Sequence, residues 1–517
     1  MRLAPNAVNS RRKTCMSFSC PEKEAALRFG STNCSCLDWM RAISVLFFLL
    51  AAGECIAQNT GADATGAGFP ASVEDSRPDS PSERDEPRKS YIIPAIEIVG
   101  FDFALNRFNN RFIDPHSFDI SWSSIRRNLK TGWVVDNDEF ETNQFLHPYQ
   151  GSVYHTAARS SGLNFWTSAA YTFAGSALWE IAGETTPPSK NDQVASGIGG
   201  VFFGEPLFRM ASLTLERGNG LPTFWRGLGA TLISPATGFN RLVFGGRFDP
   251  IFPGYEPEFF TQWNFGATVA EHRVEGTSTR VRRNEGIAEF SMSYGLPGKR
   301  DYEYRRPFDY FNFEFTASSS NIFESIMTRG LIVGDDYKAG DSYHGVWGLY
   351  GTYDYMAPQV FRASSTAVAL GTTGQWRTAG PVTFQGSALG GVGYGAAGTV
   401  EGVVGDRDYH YGITPQALLA TRWIFGTVAS LDVSGRGYQI TRFASTNQRG
   451  WENILRGDAS LTVRVFGPHS FTIKYLVTRR DAHYPDLGKR QQRLGTVALT
   501  YTLVGDRNFG AVKPGNK

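Results

Sequence analysis

Beyond residue 57 the chain has no cysteine: all five, Cys15, Cys20, Cys34, Cys36 and Cys55, come earlier. That absence excludes a disulfide framework, a thiolate metal site and a cysteine nucleophile from everything that follows. Charge is scarce as well, at 19% of the 517 residues. After residue 57 the 44 basic side chains meet 45 acidic ones, which excludes a nucleic-acid binder held by bulk positive charge. Common catalytic signatures are missing: there is no His-Glu-x-x-His, no Gly-x-Ser-x-Gly elbow, no phosphate loop and no dinucleotide fingerprint. What is abundant is aromatic residues, at 14%, and glycine, with 57. That balance points to extensive β-structure and away from a disordered or coiled-coil chain.

Residues 43–53 (ISVLFFLLAAG) form the longest strongly apolar run, preceded by Met40-Arg41 and followed by Cys55-Ile56-Ala57. We read residues 1–57 as a leader with a secretory signal peptide cut after Ala57, with Met40 as an alternative start. Glu54 occupies the position where a lipoprotein signal wants a small residue, which disfavours lipidation of Cys55. Residues 58–90 carry scarcely an apolar side chain and read as a disordered linker. A large exported chain without disulfides needs another device to hold it together, and a closed β-barrel is one.

Over residues 91–245 the apolar positions Ile93, Ile96, Ile98, Val99, Phe101, Leu105 and Phe108 recur near a 3.6-residue period, so this block is a helical domain. Helices are predicted near 91–112, 117–130, 148–161, 164–184, 190–216 and 222–243. The stretch Phe165 to Gly183 approaches the length of a membrane span, but Glu180 within it favours a buried helix.

From about residue 257 the period becomes two. Trp263, Phe265, Ala267 and Val269 alternate with polar neighbours, as do Phe311, Phe313 and Phe315, then Phe471, Ile473, Tyr475 and Val477, then Val497, Leu499, Tyr501 and Leu503. A soluble sandwich and a membrane barrel share that pattern, and Arg436, Arg464 and Lys474 on the polar faces suit either solvent or a wet lumen. Long strands joined by uneven loops favour the barrel. The predicted fold is mainly β with an α-helical N-terminal domain: an antiparallel transmembrane β-barrel of about twelve strands over residues 250–505, with the helices as a plug or periplasmic domain and 506–517 as a tail. Two stretches, 321–336 and 386–404, alternate poorly.

The densest chemistry lies between Asn143 and Glu205. It comprises Asn143, Phe145, His147-Pro148-Tyr149 and Gly151; Ala158-Arg159; Ser176, Trp179-Glu180 and Glu184; Pro188-Ser189 and Asp192; and Gly199-Gly200 with Gly204-Glu205. As a set these motifs resemble the bacterial domain-of-unknown-function family numbered thirty-nine forty-three, over about residues 91–245. The resemblance implies an envelope-associated bacterial protein and supplies no activity.

Glu180 and Glu184 stand four apart, so a continuous helix would place both carboxylates on one face, with Phe173 and Ser176. Two readings follow. In the structural one the carboxylates pair with Arg159 or with a lumen-facing arginine. In the catalytic one His147 is a base, Glu180 or Glu184 an acid or orienter, and Ser189 or a water the nucleophile. Pro148 suggests that a helix starts at His147, and Ser189 with Asp192 reads as a capping box. Asn143, Tyr149, Arg159, Asp192 and Glu205 complete a binding or structural polar cluster. No cofactor or metal is expected, because His147 and His155 stand eight apart without a ligand motif. The functional expectation is an outer-membrane barrel with a structural or passage role. Its partners would be outer-membrane lipid and the barrel-assembly machinery, with no nucleic acid and an unknown small-molecule substrate. An envelope-lipid-modifying enzyme and a soluble periplasmic binding sandwich are the alternatives.

Overall fold

The computed structural model describes residues 89–216, 223–248, 257–273, 280–300, 302–358, 360–378, 380–399, 409–442, 450–484 and 488–513. The predicted leader, its expected cleavage site and nearly all of the predicted linker lie outside the described residues.

Twelve antiparallel strands close into a barrel in sequence order: β1 Phe259–Arg273, β2 Arg280–Tyr294, β3 Phe311–Ser318, β4 Ser325–Ala339, β5 Tyr343–Met356, β6 Phe361–Arg377, β7 Val382–Thr399, β8 Tyr409–Phe425, β9 Ala429–Arg442, β10 Trp451–Phe466, β11 His469–Tyr484 and β12 Gly488–Val504. The seam is a β1–β12 ladder running from Gln262↔Val504 to His272↔Leu494. Of the weakly alternating stretches, residues 325–336 lie in β4 and 386–399 in β7, and 400–404 lie outside the described residues. In β4 a register shift between Leu331 and Val333 breaks the two-residue period, and β7 is glycine-rich along its middle.

Pairs between non-adjacent strands identify the inner face, because in a closed barrel they must cross the lumen. Arg436 of β9 reaches Asp354 of β5 at 3.0 Å and Glu314 of β3 at 3.3 Å, and Lys474 of β11 reaches Glu289 of β2 at 2.7 Å. Residues of opposite parity therefore point outward, and there the exposed Leu349, Leu370, Leu419, Val463, Ile473 and Leu499 form an apolar belt. The sandwich alternative is thereby excluded. Arg436, Arg464 and Lys474 all belong to the inner face.

The helices are α1 Ile92–Phe112, α2 Pro115–Phe118, α3 Trp122–Asn128, α4 His147–Ser160, α5 Phe165–Ala182, α6 Lys190–Val194, α7 Gly200–Glu216, α8 Thr223–Ile233 and α9 Pro235–Phe244. The single helix predicted over 222–243 is broken at Ser234-Pro235. Among the described residues, no helix is long and apolar enough to cross a membrane.

The expected seat of the helices, in the lumen or at its mouth, is not the one their contacts define. Phe145, Phe202 and Phe203 pack in one cluster with Phe313, Phe315, Ile326, Tyr353 and Tyr355. By parity those strand residues point outward, so the helices lie against the outer wall. Phe203 stacks on Tyr353 with ring centroids 5.4 Å apart.

Two prolines shape that interface. Proline lacks the N–H that would bond the carbonyl four residues earlier in a helix. Pro148 leaves Gln144 O free of that bond, and the Tyr353 hydroxyl donates to it at 2.6 Å. Pro206, inside α7, does the same for Phe202 O, which accepts from Thr328 Oγ1 at 3.1 Å. Both hydroxyls belong to the barrel's outer face.

The lumen is entered instead by the segment after β12. Val512 N donates to Gln375 Oε1 at 2.9 Å, Gln375 Nε2 donates to Val512 O at 2.8 Å, and Gln385 Nε2 donates to Gly510 O at 2.7 Å. Phe509 and Val512 pack with the inward-facing Phe260, Ile424 and Val504, and the Arg464 guanidinium lies 4.7 Å from the Phe509 ring centre. The tail thus fills the rim that carries the start of β1.

Removing either docking hydroxyl strands a buried carbonyl at a cost of about 1–3 kcal/mol. Tyr353→Phe and Thr328→Val are expected each to raise hydrogen exchange and protease cleavage within residues 140–210 while the strand amides keep their protection.

Candidate functional site

The helical region is built on close approach. A Cβ on Gly151 would lie 1.9 Å from Ser196 O, and one on Gly200 would lie 2.6 Å from Gly151 Cα. Glycine at these positions lets α4 cross the segment 195–204 backbone to backbone. Each partner also carries a π-helical turn, Thr142–Leu146 immediately before α4 and Ala195–Gly199 between α6 and α7. Such turns shift the helical face that follows them and are common at functional sites. The α-helix starts at His147 with Pro148 in its first turn, as expected, but it continues a run already helical through the π turn and Leu146.

This packing brings together residues far apart in sequence. His147 from the start of α4, Glu180 near the end of α5 and Asp192 in α6 each offer one donor atom within 4.8 Å of the other two, and all three are buried. His147 Nε2 stands 3.6 Å from Asp192 Oδ2, and its Nδ1 lies 3.4 Å from Ser196 Oγ. Glu180 Oε2 accepts from Ser189 N at 2.8 Å. Asp136 borders the group, its Oδ1 accepting from Asn143 Nδ2 at 2.7 Å and Asn191 Nδ2 at 2.6 Å. Asn191 Nδ2 also reaches Asp192 Oδ1 at 3.0 Å, and Tyr411 on the barrel's outer face accepts from Asn143 and Asn191 at 3.0 and 2.8 Å.

Burial, followed by the neighbouring charge of Glu184, pushes the Glu180 carboxyl up to about 9. Burial followed by Asp136 and Glu180 lifts Asp192 well above the carboxylate range. Burial pushes the His147 ring down to about 4 against the pull of Asp136.

Several expectations are corrected. Glu184 does not share a helical face with Glu180, because α5 ends at Ala182 with Gly183 as its cap. Its carboxylate accepts instead from Trp179 Nε1 at 2.7 Å and Thr186 Oγ1 at 2.8 Å. Neither glutamate pairs with Arg159, whose guanidinium goes to Glu205 at 2.7 Å. The expected cap at Ser189 is present on α6, its Oγ accepting from Asp192 N at 3.2 Å and donating to Asn191 Oδ1 at 2.9 Å. Tyr149 packs between Phe145 and Phe203.

Glu205 anchors a second cluster. Its carboxylate meets His155 Nε2 at 3.0 Å, Arg159 Nε at 2.7 Å and Arg209 Nε at 2.9 Å. Arg209 continues to Asp309 Oδ1 at 3.0 Å and Pro307 O at 2.7 Å, in the connection between β2 and β3. Burial alone would raise the Glu205 carboxyl, but Arg159, the His155 hydrogen bond and Arg209 outweigh it and hold it far below the usual range. Sequence pattern marks Asn191, beside Asp192 in the polar cluster, but not Asp136 or Asp309. Arg209 carries a local signal, standing four residues after Glu205.

The fold and these clusters define a closed twelve-stranded barrel with a polar lumen and an outer-wall helical region. Residues 132–236 match the family described as "Domain of unknown function (DUF3943)", as the motifs anticipate. No curated protein matches the chain. Similar solved structures include the NanC porin, at 8% identity over 46% of this chain and 98% of that one, with a TM-score of 0.23. Another is an anion-selective porin from Comamonas acidovorans, at 8% identity over 48% and 100%, with a TM-score of 0.18. A third is a loop-deleted OmpT, an outer membrane protein of Vibrio cholerae, at 8% identity over 48% and 98%, with a TM-score of 0.19.

A carboxylate held below its unfolded value stabilises the fold fully above that unfolded value, and the contribution is lost as pH falls through the folded one. Glu205→Gln is expected to cost about 3–5 kcal/mol at neutral pH, since it leaves Arg159 and Arg209 buried with less counter-charge. It is also expected to flatten the acid limb of unfolding, followed by circular dichroism between pH 7 and pH 2.

Proposed function

We propose that the chain is a bacterial outer-membrane β-barrel, exported through its cleaved signal peptide, that provides a closable polar passage. The observation that carries this reading is the sidedness of the barrel: a belt of exposed Leu, Val, Ile and aromatic side chains outside and a polar, charge-bridged interior. Apolar strand faces suit lipid, and polar ones suit a wet lumen. The rim holding the start of β1 and the end of β12 also has the shorter turns, 340–342, 378–381, 426–428 and 467–468, although the β2–β3 connection there is long. That rim is read as periplasmic.

In this reading the passage is shut at rest. The tail supports closure from the periplasmic rim, and the ion pairs of Arg436 and Lys474 form rungs across the middle. A lumen cavity of about 180 Å³, lined by Glu289, Glu314, Arg329, Arg456, Asp458 and Lys474, suits a small polar or charged solute. The helical region acts as a brace on the outer wall, and outer-membrane lipid and the assembly machinery are its partners. An enzyme acting on envelope lipid is the second reading, favoured by the buried His147, Glu180 and Asp192 beside the outer wall.

The test is conductance in planar bilayers. The full chain is expected to shift in gel mobility on boiling, as a folded barrel does, and to conduct little. Deletion of residues 506–517 combined with Arg436→Gln is expected to raise conductance at least several-fold. A full chain that never enters bilayers, or a heat-shifting variant that stays closed, would refute the passage reading.

A further inference from the structure

We propose that His147, Glu180 and Asp192 form a binding site for one divalent transition-metal ion, set in the helical region against the barrel's outer wall. The three donors come from three separate elements and converge within 4.8 Å. Around an ion with bonds of about 2.0–2.2 Å, donor atoms stand about 3.3–4.4 Å apart. The 3.6 Å between His147 Nε2 and Asp192 Oδ2 falls in that range, yet it is too long for a hydrogen bond. The other ring nitrogen faces Ser196 Oγ at 3.4 Å. A weak partner on Nδ1 leaves Nε2 free as the ligand atom, the arrangement usual for metal-bound histidine.

An independent observation points the same way. Asn143 is 0% exposed, and its Oδ1 has no hydrogen-bond partner. Asn143 stands four residues before His147 in the same helical run, and its amide nitrogen is held against Asp136. A buried amide oxygen without a donor is costly, so the polar bonding beside the three donors is incomplete as it stands. Among the described residues, Asp136, Glu180 and Asp192 make no ion pair with a lysine or arginine, and the sole such contact in the group is that of His147 with Asp192. Glu180 and Asp192 are buried, and buried carboxylates without counter-charge are otherwise rare.

The donor set selects the ion. One imidazole with two carboxylates suits Zn²⁺, Mn²⁺ or Fe²⁺ better than Ca²⁺ or Mg²⁺, which favour all-oxygen shells. The absence of thiolate disfavours softer ions.

The experiment uses the full chain, folded in detergent, stripped with a chelator and dialysed separately against Zn²⁺, Mn²⁺ and Ca²⁺. Elemental analysis is expected to return close to one Zn²⁺ or Mn²⁺ per chain and little Ca²⁺. Co²⁺ in place of Zn²⁺ is expected to give visible bands, lost in His147→Ala and Asp192→Asn. Retained metal in those two variants should fall at least tenfold, while Arg280→Gln, exposed at the start of β2 in the barrel, keeps it. If a variant fails to show the barrel's heat-dependent gel shift, the wild-type measurement still decides. A wild-type chain that binds none of Zn²⁺, Mn²⁺ and Co²⁺ stoichiometrically, or both variants folded with metal retained, would overturn the site.

Discussion

Two carbonyls tie this molecule together. Gln144 O and Phe202 O are each deprived of a helical partner by a proline four residues on, and each is taken by a hydroxyl on the outer face of the barrel. A helix normally satisfies its own backbone and presents only side chains to a neighbour. Here the sequence of the helical region creates acceptors that it cannot fill, and strands β4 and β5 supply the donors. The aromatic packing of Phe145, Phe202 and Phe203 around these bonds excludes water from them, so the polar and apolar parts of the interface reinforce each other. The two internal clusters depend on this docking. Tyr411 of the wall contacts Asn143 and Asn191 beside the first, and Asp309 of the β2–β3 connection completes the second.

The barrel itself follows from closure. Once β1 pairs with β12, every strand residue faces either the lumen or the outside, and parity distributes chemistry between them. The lumen face gathers Arg436, Glu314, Asp354, Lys474 and Glu289 into cross-barrel pairs. The outer face divides into a belt of exposed apolar side chains and a region buried under helices. One alternating sequence pattern therefore serves two kinds of neighbour on the outside, as well as the polar interior.

Much of this was legible in the sequence. The change from a 3.6-residue to a two-residue period locates helices and strands, and the strand count follows from turns such as Gly467-Pro468. What pattern could not supply is the identity of the neighbour on each face. Apolar residues at Phe313, Tyr353 and Tyr355 read the same whether lipid or a helix covers them, so the pattern does not place the helices on the outer wall. The tail was missed as a lumen element because its contacts, through Phe509 and Val512, are local to one rim and follow no repeat. At the site, the i, i+4 spacing of Glu180 and Glu184 suggested a shared face, but the helix ends between them. Arg159 finds Glu205 rather than Glu180 because α4 crosses α7 at a glycine contact, a non-local event that composition does not encode. The motif set did mark His147, Glu180 and Asp192, which the fold then brings together.

The most direct test of this account is a cross-link between the helical region and a strand. A Cβ on Gly199 would stand 3.2 Å from Thr366 Oγ1 on the outward face of β6. In a chain freed of its five native cysteines, Gly199→Cys paired with Thr366→Cys is predicted to form a disulfide on mild oxidation. Gly199→Cys paired with Ser365→Cys, whose side chain faces the lumen, is predicted to remain reduced. The reverse result would place the helices inside the barrel and contradict the account.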